Sequence, residues 1–221
     1  MQWDEFSDWG AKISQWAADY HTNLRDRPVR AQTAPGDVAA LIATSAPEGP
    51  HSMNEIMADF ERVVMPGITH WQHPRFFAYF PANAAPPSML AEMLVSTIAA
   101  QCMLWQTSPA ATEMETVMLD WLRQAIGLPE KFSGVIQDSA SSATLAAVLT
   151  MRERALDWQG NQLGLSGAPR LRIYCSEEVH TSVDRAIWVS GVGQDNLVRI
   201  PISGPLRGMN AGALKAAIQA D

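Results

Sequence analysis

Residues 134–147 read GVIQDSASSATLAA, and this stretch decides the fold class. The apolar run at 135–137 predicts a strand, and the pattern that begins at Ser141 predicts a helix running to about residue 158. A corner of small residues joins the two, formed by Ser139, Ala140 and Ser141. The chain therefore turns from strand to helix without a large side chain to fill the corner.

Strands and helices alternate downstream of this corner. The pattern predicts a strand at 171–175, a helix at 181–189 and a strand at 196–200. Such alternation is typical of an α/β fold with a largely parallel sheet, in which ligands lie beyond the carboxyl ends of the strands. The corner after residue 137 is such an end.

Upstream of the corner the sequence predicts helices only. Apolar helices are expected at 89–104 and, with Ser108 as N-cap, at 108–126. An amphipathic, aromatic-rich helix is expected at 3–24, and a shorter one begins after Ser52. Because short helices joined by extended linkers seldom bury their faces alone, we expect the first eighty or so residues to pack against a second subunit.

The sequence of the corner is compatible with two roles, an anion site or a helix N-cap. Small residues at a helix N-terminus let an anion approach the unpaired backbone N–H groups, and Ser139 and Ser141 would add hydroxyl donors, so phosphate is the natural fit. Alternatively, one of these serines is simply an N-cap, which is the favoured interpretation when the corner is taken alone. The GxxxxGK[ST] and GxGxxG phosphate motifs are absent from the sequence.

His180 follows the strand predicted at 171–175 by a few residues, within EEVHTSVDRA. An imidazole at that edge can stack on a flat heteroaromatic ligand or transfer a proton near neutral pH. The alternative is a helix-capping or surface histidine. We expect His180 at the same edge of the sheet as Ser141.

The segment 70–94, HWQHPRFFAYFPANAAPPSMLAEML, is dense in aromatic residues and proline. It is suited to line a pocket for an aromatic ligand, or to form a core or dimer interface, and the two are compatible. His70 and His73 have no further clustered ligands, and Pro74 breaks the helix that their spacing would need, so we expect no metal site.

Composition excludes several classes of protein. The 221 residues carry a formal net charge of -7 and no basic run, which argues against nucleic acid or an anionic membrane as the main partner. The first residues lack the features of a signal peptide, and no later segment has membrane-spanning length, so a cytoplasmic location is expected. Cys102 and Cys175 are expected to be reduced core thiols.

Four segments taken together resemble one family in order and spacing: HPRFFAYFPANAAPPSMLAEML, SPAATEMETVMLDWL, GVIQDSASSATL and EEVHTSVDRA. The chain is similar to the group II pyridoxal-phosphate-dependent amino-acid decarboxylases, and most similar to their aromatic-L-amino-acid decarboxylase branch. The resemblance implies the α/β fold type I of the aspartate aminotransferase-like enzymes. It implies that residues 1–80 form a helical extension that packs on the partner of a homodimer, and that 81–221 are the first part of the large cofactor-binding domain.

The resemblance also assigns roles to residues. It implies that Ser139, Ala140 and Ser141 hold the phosphate of pyridoxal 5'-phosphate, and that His180 stacks on the cofactor ring and takes part in protonation. Asp138 stands where the family often has glycine, and Met103 where the animal DOPA decarboxylases have phenylalanine. The substrate pocket would include Trp71, Tyr79, Phe80, Pro81, Gln101 and Met103.

The resemblance implies decarboxylation of aromatic L-amino acids to amines and carbon dioxide. Lys12, Lys131 and Lys215 lack the His-Lys context of the family's cofactor-binding lysine, and the family's HVDAAY-like aspartate is also missing. We therefore expect the chain to be the first part of a longer enzyme, its C-terminal remainder lost or present as a separate chain. A catalytically incomplete fragment acting in dimerisation or cofactor binding, a phosphate-binding module, and an aldehyde-forming variant of the reaction remain alternatives.

Overall fold

A computed structural model describes residues 3–80 and 83–221. The chain divides into two compact units, Met1–Ala99 and Ala100–Asp221, which are described separately below. None of the helices in these described ranges is long and apolar enough to cross a lipid bilayer.

The first unit is helical. Its main helices are α1 (Trp3–Thr22), α2 (Asp37–Ala40), α3 (Met53–Asp59) and α4 (Pro86–Ile98). A π-helical turn, Phe60–Val64, continues α3. The sequence-based expectations for α1 and α3 are confirmed within a few residues.

Local chemistry explains where two of these helices begin and end. Ser52 caps α3 through a capping box, because its Oγ accepts from the backbone N–H of Glu55 at 3.3 Å while Oε2 of Glu55 accepts from the N–H of Ser52 at 2.8 Å. α4 ends at Ile98 rather than near residue 104, because Ala99 adopts a left-handed conformation with φ +50°. The long helix predicted at 89–104 is therefore wrong in its second half.

Aromatic rings pack α1 against the segment that follows α3. Trp16 stacks on Tyr20 with ring centroids 5.4 Å apart, and its edge meets Phe60 at 5.3 Å. The indole N–H of Trp16 donates to the Glu61 carboxylate. The aromatic stripe that predicted an amphipathic α1 thus makes its contacts within the first unit.

The second unit has the expected alternation of helices and strands. Its helices are α5 (Pro109–Ala125), α6 (Ala140–Ala155), α7 (Gly160–Leu163), α8 (Ser182–Ser190) and α9 (Ala211–Ala220). Its strands are β1 (Ile173–Ser176), β2 (Leu197–Ile200), β3 (Ile202–Ser203) and β4 (Gly208–Met209).

The strands form two small sheets. β1 and β2 pair in parallel from Ile173 opposite Leu197 to Ser176 opposite Ile200, whereas β3 and β4 form an antiparallel pair. The strands predicted at 171–175 and 196–200, and the parallel pairing of the alternating region, are confirmed.

The strand predicted at 135–137 is wrong. These residues are irregular, and the side chains of Val135 and Ile136 are exposed. The backbone N–H of Ile136 donates to the carboxylate of Glu115 at 2.7 Å instead of to a neighbouring strand. Among the described residues no strand pairs with this segment, so its apolar β-type sequence has no ladder to join.

The core of the second unit lies where α6, α8 and the parallel strands meet. Four buried side chains form it, and partly buried residues of β1 and β2 pack on them: Val148, Ala186, Ile187 and Val192, with Ile173 and Leu197. A mostly parallel α/β core of this kind holds the first turns of α6 and α8 in fixed positions.

A buried charge pair joins α6 to its neighbours. The guanidinium of Arg152 donates to Oε1 of Glu153 at 2.7 Å and to the carbonyl of Ser190, the last residue of α8, at 2.6 Å. The N–H of Asn161, in α7, donates to Oε2 of Glu153 at 2.9 Å. Burial acts to raise the pKa of Glu153, but these donated hydrogen bonds outweigh it and hold the pKa below its usual value.

Candidate functional site

The corner before α6 combines a capped helix with free backbone donors. Oγ of Ser139 accepts from the N–H of Ser142 at 3.2 Å, so Ser139 is an N-cap. Across the described chain, the N–H groups of Ala140 and Ser141 have no hydrogen-bond acceptor. The first turn of α6 carries no acidic side chain. The capping interpretation is thus confirmed for Ser139, while two donors at the positive end of the helix stay available to an anion.

His180 lies between β1 and α8, with one ring nitrogen engaged and the other free. Nδ1 accepts a hydrogen bond from the N–H of Ser182 at 3.2 Å and lies 3.1 Å from Oγ of the same residue. The imidazole therefore satisfies a first-turn donor of α8, as the capping alternative predicted. Within residues 3–80 and 83–221, Nε2 has no hydrogen-bond partner, and the side chain is exposed.

Two hydroxyl groups connect the corner to His180. Oγ1 of Thr144 donates to the carbonyl of Ala140 at 2.8 Å and lies 3.5 Å from Oγ of Ser182. The structure thus brings the first turn of α6 together with His180, as predicted from the sequence. The sequence analysis did not single out Thr144 and Ser182. The signal that could have found them is their spacing, since Thr144 lies one helical turn after Ala140 and Ser182 lies two residues after His180.

Two of the aromatic residues predicted for the pocket, Trp71 and Tyr79, stack on each other in the first unit. The Trp71 ring stacks with the ring of Tyr79 at 5.5 Å and 17°, and with Phe76 at 5.0 Å and 29°. Phe76 was not singled out from the sequence. Phe80 is 99% exposed and makes no ring contact among the described residues. Pro81 lies outside the described residues.

Tyr79 has an unusual backbone for a bulky residue. Its φ is +56°, in the left-handed region that favours glycine. A side chain in this region costs conformational energy, and residues of this kind cluster at functional sites. Tyr79 is also largely exposed. Among the described residues, the ring of Trp71 is the only ring that its side chain contacts.

Gln101 and Met103 lie in the irregular segment before α5. Both are exposed, and Met103 is 74% exposed. Ser108 occupies the N-cap position of α5, but its side chain makes no capping hydrogen bond, contrary to the sequence-based expectation. In this segment the N–H of Thr107 donates to the carbonyl of Leu104 at 3.2 Å, and the indole N–H of Trp105 donates to the carboxylate of Glu113 in α5 at 2.8 Å.

The two cysteines have different environments. Both are free; Cys175 is buried in β1, and burial raises the pKa of its thiol. Cys102 is exposed, so the expectation that it is a core thiol is wrong. The reason is local, since the segment 99–108 leaves the helix that was predicted to bury it.

The histidines of the THWQH segment are buried and have protein partners. Nδ1 of His70 lies 2.8 Å from the hydroxyl of Tyr20. Nδ1 of His73 accepts from the N–H of Arg75 at 3.0 Å, and its Nε2 lies 3.3 Å from the carbonyl of Arg25. Both ring nitrogens of His73 are therefore used in fixing the chain.

We expect the first unit to lose stability on mild acidification because of His70. Burial lowers the pKa of His70, and Arg27 and His73 lower it further, so the folded state resists protonation more than the unfolded chain does. The stability contribution is complete above the unfolded pKa of about 6.5 and is lost as the pH falls from there through the folded pKa. Urea denaturation from pH 7.5 to 5 measures this loss.

The variant His70→Gln should flatten this pH dependence, because glutamine does not titrate. His51→Gln is the matched control, since the His51 side chain is 57% exposed. If His70→Gln and the parent chain lost stability equally between pH 7 and 5, His70 would not be the group responsible.

A parallel strand pair packed against helices defines an α/β domain, and His180 follows the carboxyl end of β1 close to the first turns of α6. The comparisons identify the family. The model of the pyridoxal-dependent decarboxylase conserved domain matches residues 35–221. The chain belongs to this family, whose cofactor is pyridoxal phosphate.

Known proteins similar to the chain agree with this assignment. Aromatic-L-amino-acid decarboxylase of Rattus norvegicus is 41% identical and matches 98% of the chain and 47% of its own length. The structure of Catharanthus roseus tryptophan decarboxylase in complex with L-tryptophan has a TM-score of 0.91 at 31% identity, covering 100% of the chain and 47% of that protein.

The structure of Oryza sativa TDC with PLP and tryptamine has a TM-score of 0.90 at 28% identity, covering 100% of the chain and 48% of that protein. The chain thus spans about half the length of the relatives that it matches. The predicted fold class, the α/β fold of the pyridoxal-phosphate-dependent decarboxylases, is confirmed by these likenesses.

Proposed function

We propose that the complete enzyme containing this chain decarboxylates aromatic L-amino acids, releasing carbon dioxide and the corresponding amine. The observation that carries this proposal is the family match over 35–221, together with 41% identity to a mammalian aromatic-L-amino-acid decarboxylase along nearly the whole chain. The aromatic stack of Trp71, Phe76 and Tyr79 supports an aromatic substrate.

The corner before α6 fits the phosphate of the cofactor. The N–H groups of Ala140 and Ser141 point to no acceptor in the described chain, and both residues are exposed. Small side chains at 139–141 leave room for an anion to approach the positive end of a 16-residue helix. We assign Ser139, Ala140 and Ser141 to phosphate binding, Ser139 in addition to its capping role.

His180 is the proposed catalytic residue of this chain. Its ring is flat, exposed and anchored at Nδ1, which leaves Nε2 available to hold or move a proton. When bound, pyridoxal phosphate supplies the electron sink for loss of the carboxylate. The imidazole would stack on the cofactor ring and hold a proton at Nε2.

The family resemblance assigns residues of this chain to the pocket for the substrate side chain. The residues that we assign to its pocket are Trp71, Tyr79, Phe80, Pro81, Gln101 and Met103. Support comes from the stacked rings and from the exposure of Phe80, Gln101 and Met103, whose side chains remain open to a ligand or a partner subunit.

We further propose a cytoplasmic homodimer. Residues 1–80 would form the extension that packs on the partner, and 81–221 would be the first part of the cofactor-binding domain. Exposed apolar side chains on α1 and α4 support an interface, and the two free cysteines are compatible with a reducing compartment.

The cofactor-binding lysine and the carboxylate facing the ring nitrogen are proposed to come from outside this chain. Lys12 lies in α1 with its ammonium 4.3 Å from the Trp9 ring, Lys131 follows α5, and Lys215 lies in α9. The half-length match to the relatives favours a second candidate, a catalytically incomplete fragment that only dimerises or binds cofactor.

A decarboxylation assay tests the proposal. The complete enzyme, loaded with pyridoxal phosphate, should release carbon dioxide from at least one of tryptophan, tyrosine, phenylalanine and DOPA, and should not do so from leucine or glutamate. Absence of release from all four aromatic substrates would falsify the proposed activity. Release of an aldehyde instead of an amine would replace it with the aldehyde-forming reaction.

The 221-residue chain, assayed alone, separates the two candidates. We expect it to release no carbon dioxide from any of these substrates. A stable folded dimer of the chain, seen by analytical sedimentation without any turnover, would favour the fragment that only associates.

A further inference from the structure

The contact between α6 and α8 contains a line of hydroxyl groups that ends at His180. It begins at the carbonyl of Ala140, which accepts from Oγ1 of Thr144 at 2.8 Å. It continues over 3.5 Å to Oγ of Ser182, and over a further 3.1 Å to Nδ1 of His180. The first residue of α6 and the imidazole are thus connected through two side chains only.

The donor directions along this line follow from its geometry. The backbone N–H of Ser182 is a donor that cannot reverse, so Nδ1 of His180 must be the acceptor of the 3.2 Å bond. The neutral ring therefore carries its proton on Nε2. If Nδ1 carried the proton, two N–H groups would point at each other and this hydrogen bond could not form.

The Ser182 hydroxyl reinforces this state. The Thr144 proton is committed to the Ala140 carbonyl, so the Ser182 proton has two acceptors left, Oγ1 of Thr144 and Nδ1 of His180. The nearer of the two is Nδ1. Ser182 is only 7% exposed, and a buried hydroxyl without a partner is costly, so this bond is strongly favoured.

We propose that Ser182 is a positioning residue that keeps His180 in the Nε2–H tautomer and fixes the direction of its ring. The consequence for catalysis rests on the proposed function, whereas the tautomer itself does not. A histidine that must present a proton from one nitrogen depends on the hydrogen bond made by the other.

If Ser182 only helped to begin α8, its backbone hydrogen bond to His180 would be explained, but its hydroxyl contact with Nδ1 would not. The N–H of Ser182 already satisfies a first-turn donor of α8, and it remains in every substitution at this position. Removing only the hydroxyl therefore tests positioning, provided that the variant is compared with one that keeps it.

The test uses the complete enzyme, labelled with ¹⁵N-histidine, first without cofactor. In the parent enzyme the neutral His180 should show a protonated Nε2 and an unprotonated Nδ1. In Ser182→Ala the Nδ1–H fraction should rise, and in the loaded enzyme kcat should fall about 10-fold while KM and cofactor affinity change less than about 2-fold. Ser182→Thr, which keeps the hydroxyl, should restore both the spectrum and kcat.

Position 144 supplies a control for a packing effect beside His180. Thr144→Val changes a side chain next to Ser182 and removes the competing acceptor of its proton, so His180 should keep the Nε2–H tautomer. An Nδ1–H tautomer in the parent enzyme, or unchanged His180 signals in Ser182→Ala, would overturn the proposal. A shifted tautomer in an enzyme that decarboxylates nothing would overturn the proposed function alone.

Discussion

Replacing His180 with alanine should lower kcat of the complete enzyme by about 10²- to 10⁴-fold, the range expected for the loss of a positioned proton-transfer group. Cofactor affinity should fall much less, since the stacking contribution of one ring is about 0.5–1.5 kcal/mol. Turnover is measured by release of carbon dioxide, and affinity by the absorbance of the bound cofactor on titration.

The matched control is His180→Phe, which keeps a flat ring and removes the titratable nitrogen. It should retain most of the cofactor affinity that the alanine variant loses, while kcat stays as low as in His180→Ala. Near-normal turnover in the phenylalanine variant would remove proton transfer from the role of His180. Near-normal turnover in both variants would remove His180 from the catalytic site.

Replacing Ile187 with alanine should destabilise the second unit by about 2–5 kcal/mol. Ile187 is 0% exposed and belongs to the buried cluster between α6 and α8, so the substitution removes buried methyl groups and leaves a cavity. Urea denaturation of the 221-residue chain, followed by far-ultraviolet circular dichroism, measures the loss.

Two controls give this prediction a scale. Ile187→Val removes a single methylene and should cost about 0.5–1.5 kcal/mol. Val189→Ala lies in the same helix but at a 69% exposed position, so it should change stability by less than about 0.5 kcal/mol. Equal effects of Ile187→Ala and Val189→Ala would mean that α8 does not pack on α6 as described.

The sequence predicts well those parts of the structure that depend on local chemistry. The N-caps at Ser52 and Ser139 are confirmed, because each cap needs only a side chain and the next turn of the helix. The strands that became β1 and β2 are also confirmed, since apolar runs of their length lie between clear helical patterns. Near the site, the same kind of signal predicted the first residues of α6 and α8 to within one residue.

The failures lie where structure depends on partners distant in sequence. The apolar run at 135–137 has strand character but pairs with no strand among the described residues, and pairing cannot be seen in a single segment. Residues 99–104 continue an apolar pattern, yet Ala99 turns left-handed and exposes Cys102. Thr144 and Ser182 are ordinary helix residues in sequence, and only the packing of α6 on α8 makes them neighbours.

The left-handed backbone of Tyr79 limits what a saturation library at this position can reveal about the proposed pocket. A saturation library at this position would change the side chain and the conformational energy of the backbone together. Most side chains cost about 1–2 kcal/mol in this left-handed conformation, whereas glycine avoids this cost and asparagine or aspartate reduces it. Selection from such a library would therefore enrich small polar residues for conformational reasons. Position 71, whose ring stacks on that of Tyr79, has no left-handed backbone, so substitutions there would change the side chain without this backbone cost.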